Sequence, residues 1–144
     1  GFHYAMSMPG YLFRSRDGMT NFKAGPQLFT SNMRHSGLLI REGRLYVFFT
    51  NRGDEPERIM LSKIELTDDW SEWTASEPIE VLRPEMDYEG TDLPLEASKG
   101  GYIDERVHQL RDPAIYQEGD KTYLLYSVAG ESGIAIAEIN FHKP

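Results

Sequence analysis

Arg34-His35-Ser36-Gly37 leading to Leu45-Tyr46-Val47-Phe48-Phe49-Thr50, and Arg111-Asp112-Pro113-Ala114 leading to Tyr123-Leu124-Leu125-Tyr126-Ser127, are one motif written twice. In each copy the Arg stands twelve residues before the Tyr, at Tyr46 and Tyr123, that sits in the apolar run. Both copies then reach a Gly at the same offset, Gly53 and Gly130, followed by an acidic residue, Asp54 or Glu131. A second apolar stretch closes each copy, Ile59-Met60-Leu61 and Ile134-Ala135-Ile136. Short strands repeated with turn residues between them mark radial or stacked β architecture.

Reading outward from the repeat, strands are expected over Ser36 to Arg41, Leu45 to Asn51, Arg58 to Leu66 and Trp73 to Val81, a four-stranded antiparallel meander. The last copy predicts Ala114 to Gln117, Thr122 to Val128 and Gly133 to Phe141. Near the start, Tyr11 to Arg16 and Phe22 to Pro26 align with the third and fourth strands of the complete unit, and only Phe2 to Ser7 precedes them. The expected fold is all-β, a partial propeller of about two and a half to three units. Residues 1–30 form an incomplete unit, 31–82 a complete one, and 83–144 a long loop with a last, three-stranded unit. Unpaired strand edges are a liability, so a homodimer that covers them is expected.

Composition bounds the function. The 144 residues are 40% hydrophobic, enough for one core but short for two full domains. A net charge of -8 disfavours a phosphate-backbone partner, so no nucleic acid is expected. No apolar run approaches the ~20 residues of a membrane span. There is no Cys, the His residues show no zinc spacing, and neither a phosphate-cradling glycine loop nor a nucleophile elbow is present. Oxygen ligands are plentiful enough for Ca2+, yet no calcium-loop pattern supports it, and no cofactor is expected.

Arg111-Asp112-Pro113-Ala114-Ile115 followed by Thr122-Tyr123-Leu124-Leu125-Tyr126-Ser127 resembles the five-bladed β-propeller glycoside hydrolases, the arabinanase, β-xylosidase and invertase group. Gly119-Asp120-Lys121 is similar to the turn those proteins use, and Ser15-x-Asp17-Gly18 to their Ser-x-Asp-Gly segments. A sialidase Asp-box would place Gly two residues after the Asp, which Gly18 does not satisfy. The resemblance implies a carbohydrate ligand and glycosidic bond hydrolysis by paired carboxyl groups. It also implies that Asp112 holds substrate and tunes an acid partner. In that group the active-site Arg-Asp-Pro lies in an earlier blade, and the blade supplying the base or nucleophile has no counterpart here, so the chain by itself is expected to be inactive. The rival reading is a non-catalytic carbohydrate-binding or protein-interaction propeller.

Propeller geometry gathers Arg34, His35, Arg111, Asp112, the turns 51–57 and 130–132 and the connection from Arg83 to Leu110 on one face. The turns at Asp17 and Asp68 fall on the other. That connection exceeds the ~12–15 residues beyond which a loop is usually functional or disordered. Catalytic candidates are Asp112 and, as general acid, Glu89. Arg34, His35, Arg111, His108 and Glu105 are candidates for substrate binding. Four of these have a structural alternative: Asp112 as a cap for backbone amides, His35 satisfied by a neighbouring carboxylate, and the two arginines bracing adjacent units through Glu131 or Glu89. Trp70, Trp73 and Phe22 are expected to pack rather than stack on sugars.

Overall fold

The computed structural model describes residues 1–141; residues 142–144, the end of the expected last unit, lie outside it. The protein is all-β, with ten strands among the described residues in three antiparallel meanders. The first sheet holds β1 (His3–Ser7), β2 (Tyr11–Ser15) and β3 (Lys23–Gln27). The second holds β4 (Met33–Arg41), β5 (Arg44–Asn51), β6 (Ile59–Glu65) and β7 (Ile79–Leu82). The third holds β8 (Arg111–Glu118), β9 (Lys121–Val128) and β10 (Gly133–Glu138). In every sheet the spatial order is the chain order. No helix among the described residues is long and apolar enough to cross a membrane.

The apolar run of β5 explains the stacking. Alternate residues of a strand face opposite sides, so a continuous run has two faces to bury. Leu45, Val47 and Phe49 pack with Leu12, Met60, Ile64 and both tryptophans in a core between the first and second sheets. Tyr46 and Phe48 pack with Leu39, Ile59, Leu124 and Tyr126 in a second core between the second and third sheets. The middle sheet is thus covered on both sides, whereas Ile134 and Ile136 on the far side of the third sheet stay 76% and 59% exposed.

The strand expected over Trp73 to Val81 is the main departure. Ile79–Leu82 is the part that forms a strand beside β6, Ser76 adds a backbone hydrogen bond to Lys63 at 2.9 Å, and Trp70–Glu72 forms a short 3-10 turn whose N-terminus is capped by the Asp69 carboxylate accepting from Ser71 N–H. The turn puts Trp70 and Trp73 in the same core, with ring centroids 6.2 and 5.1 Å from that of Tyr4. The Trp73 indole N–H donates to Thr67 O at 3.1 Å. Burying two indoles in one core outweighed the extended pattern. Phe22, by contrast, remains 40% exposed. Asp17 closes its own turn, accepting from Met19 N–H at 3.0 Å and Thr20 N–H at 2.8 Å. Hydrogen bonds led by that from the Thr20 hydroxyl hold its carboxyl well below the ordinary range.

β4 and β8 are the first strands of their sheets, and they meet backbone to backbone. A Cβ on Gly37 would lie 2.9 Å from Pro113 O, closer than a real contact allows. Replacing a strand glycine by Ala ordinarily gains up to ~1 kcal/mol by restricting the unfolded chain. Here Gly37→Ala is expected to destabilise, by about 1–3 kcal/mol, because β8 must shift. Urea unfolding reads the sign, and a gain in stability would refute the close approach.

Candidate functional site

The two copies of the motif share a backbone defect. Pairing of β4 with β5 skips a residue between Arg34 and Ser36, and pairing of β8 with β9 slips between Arg111 and Ala114. The residues at the slips, His35 and Asp112, sit at φ 48 and 49, left-handed values uncommon for residues with a Cβ. A bulge re-aims a side chain out of strict alternation. Here it turns two side chains from neighbouring sheets toward each other: His35 Nδ1 lies 3.1 Å from Asp112 Oδ1. The two atoms are close without an aligned hydrogen bond, since His35 Nδ1 has no partner in hydrogen-bonding geometry. Asp112 Oδ2 accepts from the Ser127 hydroxyl at 3.0 Å.

Burial pushes the His35 pKa below its ordinary value of 6.5, against the pull of Asp112 and with help from Arg34 and Arg111. The ring is therefore neutral at pH 7. A histidine whose folded pKa is depressed binds fewer protons folded than unfolded. Its contribution to stability is complete above 6.5 and declines as pH falls from there toward the folded value.

Behind this pair lies a buried charge cluster. Glu57 is fully buried; Arg34 donates to it through Nε at 2.9 Å and through Nη2. Arg111 Nε stands 3.7 Å from the same carboxylate, and Arg111 Nη1 donates to Glu131 at 2.8 Å. Arg111 also donates to Gln109 Oε1, through Nε at 3.1 Å and Nη2 at 2.7 Å. Both arginines reach the Gly101 carbonyl, at 3.5 and 3.2 Å, which pins the long loop over them. Ser98 ties the same loop to the β5–β6 turn: Gly53 N–H donates to Ser98 O at 3.1 Å, and Ser98 N–H to Asp54 O at 3.0 Å. The two guanidinium groups are spent within the protein.

What remains open is a cleft of about 470 Å3 with His35 and Asp112 in its wall. Arg52 and Glu131 enter from the β5–β6 and β9–β10 turns, Tyr102 from the long loop, and Met8 and Pro9 from the β1–β2 turn. Arg52 has one side-chain hydrogen bond among the described residues, to Asn32 Oδ1 at 3.5 Å. Tyr102 is 80% exposed. Equivalent turns of three sheets therefore converge with the two bulges on one face.

Of the residues singled out from the sequence, Arg34, His35 and Asp112 line this cleft, and Arg111 lies directly behind it. Glu89 does not. It is 3% exposed and accepts from Tyr126 OH at 3.0 Å and from the N–H groups of Glu85 and Met86 at 2.8 and 3.0 Å. Its carboxylate fastens the start of the loop to β9, a structural post in place of the expected general acid. Burial, reinforced by Glu89, raises the Tyr126 pKa. His108 is half-buried away from the cleft, and exposed Glu105 lines a smaller cavity beneath the loop. Sequence reasoning missed Glu57, Arg52, Asn32 and Tyr102 as individual residues. The signal for Glu57 was the pair of equivalent arginines, which demanded a shared counter-charge. Among the described residues no three of His, Asp and Glu gather as a metal site.

Removing one partner of a buried ion cluster leaves charge uncompensated, at a cost of about 3–5 kcal/mol. Glu57→Ala is expected to lose that much, or to fail to fold, whereas exposed Glu105→Ala stays within about 0.5 kcal/mol of the parent. Chemical denaturation of the two variants checks this; equal stabilities would contradict the role of Glu57.

No protein family's sequence model matches the chain, and no solved structure matches it. It is 42% identical over 155 aligned residues to the uncharacterized protein R118 of Acanthamoeba polyphaga mimivirus. The match takes in 96% of this chain and 44% of that protein, so the chain spans less than half the length of this relative.

Proposed function

We propose that the chain is part of a propeller-type protein of the five-bladed glycoside hydrolase kind, and that its cleft binds carbohydrate. The observation that carries this reading is the meeting of His35 and Asp112 on equivalent bulges of neighbouring first strands. The order of the three meanders and the convergence of their equivalent turns on one face support it. So do the contents of the cleft. A neutral imidazole, a half-open carboxylate and the Asn32 amide supply directional donors and acceptors for sugar hydroxyls. The exposed Tyr102 ring offers a stacking face.

Hydrolysis needs two carboxyl groups in distinct protonation states. Asp112 is open to the cleft, but Glu131 is engaged by Arg111 and Glu89 lies elsewhere. The second carboxyl group must then come from outside residues 1–141, and these residues alone bind without cleaving. The exposed Ile134 and Ile136 are the surface that a second copy would cover.

Titration of the labelled chain with arabino-, xylo- and fructo-oligosaccharides, followed by NMR, tests the reading. At least one series is expected to shift resonances of His35, Asp112 and Tyr102. His35→Ala and Asp112→Asn are each expected to weaken binding about tenfold or more, the scale of one hydrogen bond to a charged group. No turnover of aryl glycosides is expected. A folded chain that binds none of these sugars, or binds them away from the cleft, refutes the proposal.

A further inference from the structure

Among the described residues the first sheet lacks an element that the other two possess. β5 and β9 each lie between a preceding strand, β4 or β8, and a following one, β6 or β10. β1 occupies the equivalent place in its sheet. It pairs with β2 as β5 does with β6, and the β1–β2 turn reaches the same cleft as the β5–β6 and β9–β10 turns. Its other edge has no strand beside it among the described residues. Edge strands are usually blunted by Lys, Pro or a bulge. His3-Tyr4-Ala5-Met6-Ser7 has none of these, and its register with β2 is uninterrupted.

The space along that edge is shaped. Beside the start of β1 lies an apolar groove of about 580 Å3. Phe2 and Tyr4, at the start of β1, line it together with Leu38 and Ile40 of β4 and Ile115 and Tyr116 of β8. Beyond the end of β1, Met8 and Pro9 face the cleft that holds His35 and Asp112. A strand antiparallel to β1 would therefore run from the cleft at one end to the groove at the other.

We propose that the free edge of β1 receives an additional strand patterned like β4 and β8, which brings a third side chain into the cleft beside His35 and Asp112. This rests on the propeller reading. The pattern follows from its two examples: an Arg for the buried charge layer, a polar residue in the left-handed conformation at the cleft, then small and apolar residues. Small residues are needed because first strands meet as closely as Gly37 and Pro113 do. The strand comes from chain outside residues 1–141, in keeping with a relative of which this chain covers 44%. In a second copy each strand of this pattern is already paired along one edge, β4 with β5 and β8 with β9, so neither is free to join β1 as a first strand of its sheet alone.

A fluorescein-labelled peptide with the sequence Asn32–Arg41, added to the chain, tests this directly. Saturable binding is expected, with slowed amide hydrogen exchange at His3–Ser7. Binding should be at least tenfold weaker for a scrambled peptide and for the Ile40→Asp protein, a change at a 61% exposed groove position that leaves the fold intact. Absence of binding, or protection confined to β10, overturns the proposal. So does a free chain that is dimeric with its β1 amides already protected, which would make a second copy the occupant. Sugar binding without peptide protection of β1 sinks the inserted strand alone. Peptide protection without sugar binding upholds the strand and sinks the carbohydrate reading.

Discussion

One buried carboxylate holds the face that carries the cleft in register. Glu57, at the end of the β5–β6 turn, is shared by Arg34 from the second sheet and Arg111 from the third. Each arginine immediately precedes a bulge, so the shared counter-charge fixes the spacing of the two bulges. The same guanidinium groups seize the Gly101 carbonyl and so set the height of the long loop. Burying three charges is costly unless their hydrogen bonds are satisfied. Here the loop carbonyl, Gln109 and Glu131 supply the remaining partners, which makes loop placement a consequence of charge burial.

The chemistry available to a ligand is what that cluster leaves over. Arg34 and Arg111 neutralise Glu57 and Glu131, and their strongest hydrogen bonds are spent inside the protein. His35, pressed between them and Asp112, is held neutral by burial. Among the described residues the cleft therefore presents hydrogen-bonding groups and one lightly engaged cation, Arg52, instead of a strong field of one sign. That balance is what the proposed carbohydrate ligand, neutral and rich in hydroxyls, would call for.

The repeat made much of this legible. Equivalence of His35 with Asp112 and of Arg34 with Arg111 followed from sequence offsets, because a bulge inherited with the motif keeps its place. The doubly buried β5 was legible as an unbroken apolar run. The segment after Asp69 was not, since a local 3-10 turn that seats both Trp70 and Trp73 in one core leaves no period-two signal. Glu89 was misplaced for a different reason. Among many acidic residues in one long loop, nothing in the sequence distinguishes a carboxylate facing a cleft from one folded back onto Tyr126 and its own backbone amides. Glu57 stayed hidden inside a charged turn that reads as solvated.

Whether His35 and Asp112 share one site is read from the titration of the His35 ring by NMR. The expected midpoint lies below 6.5 in the parent chain and falls further in Asp112→Asn, where the nearer of the carboxylates that oppose the depression is gone. A ring that titrates at the ordinary value, unmoved by Asp112→Asn, would contradict a shared site and separate the two bulges.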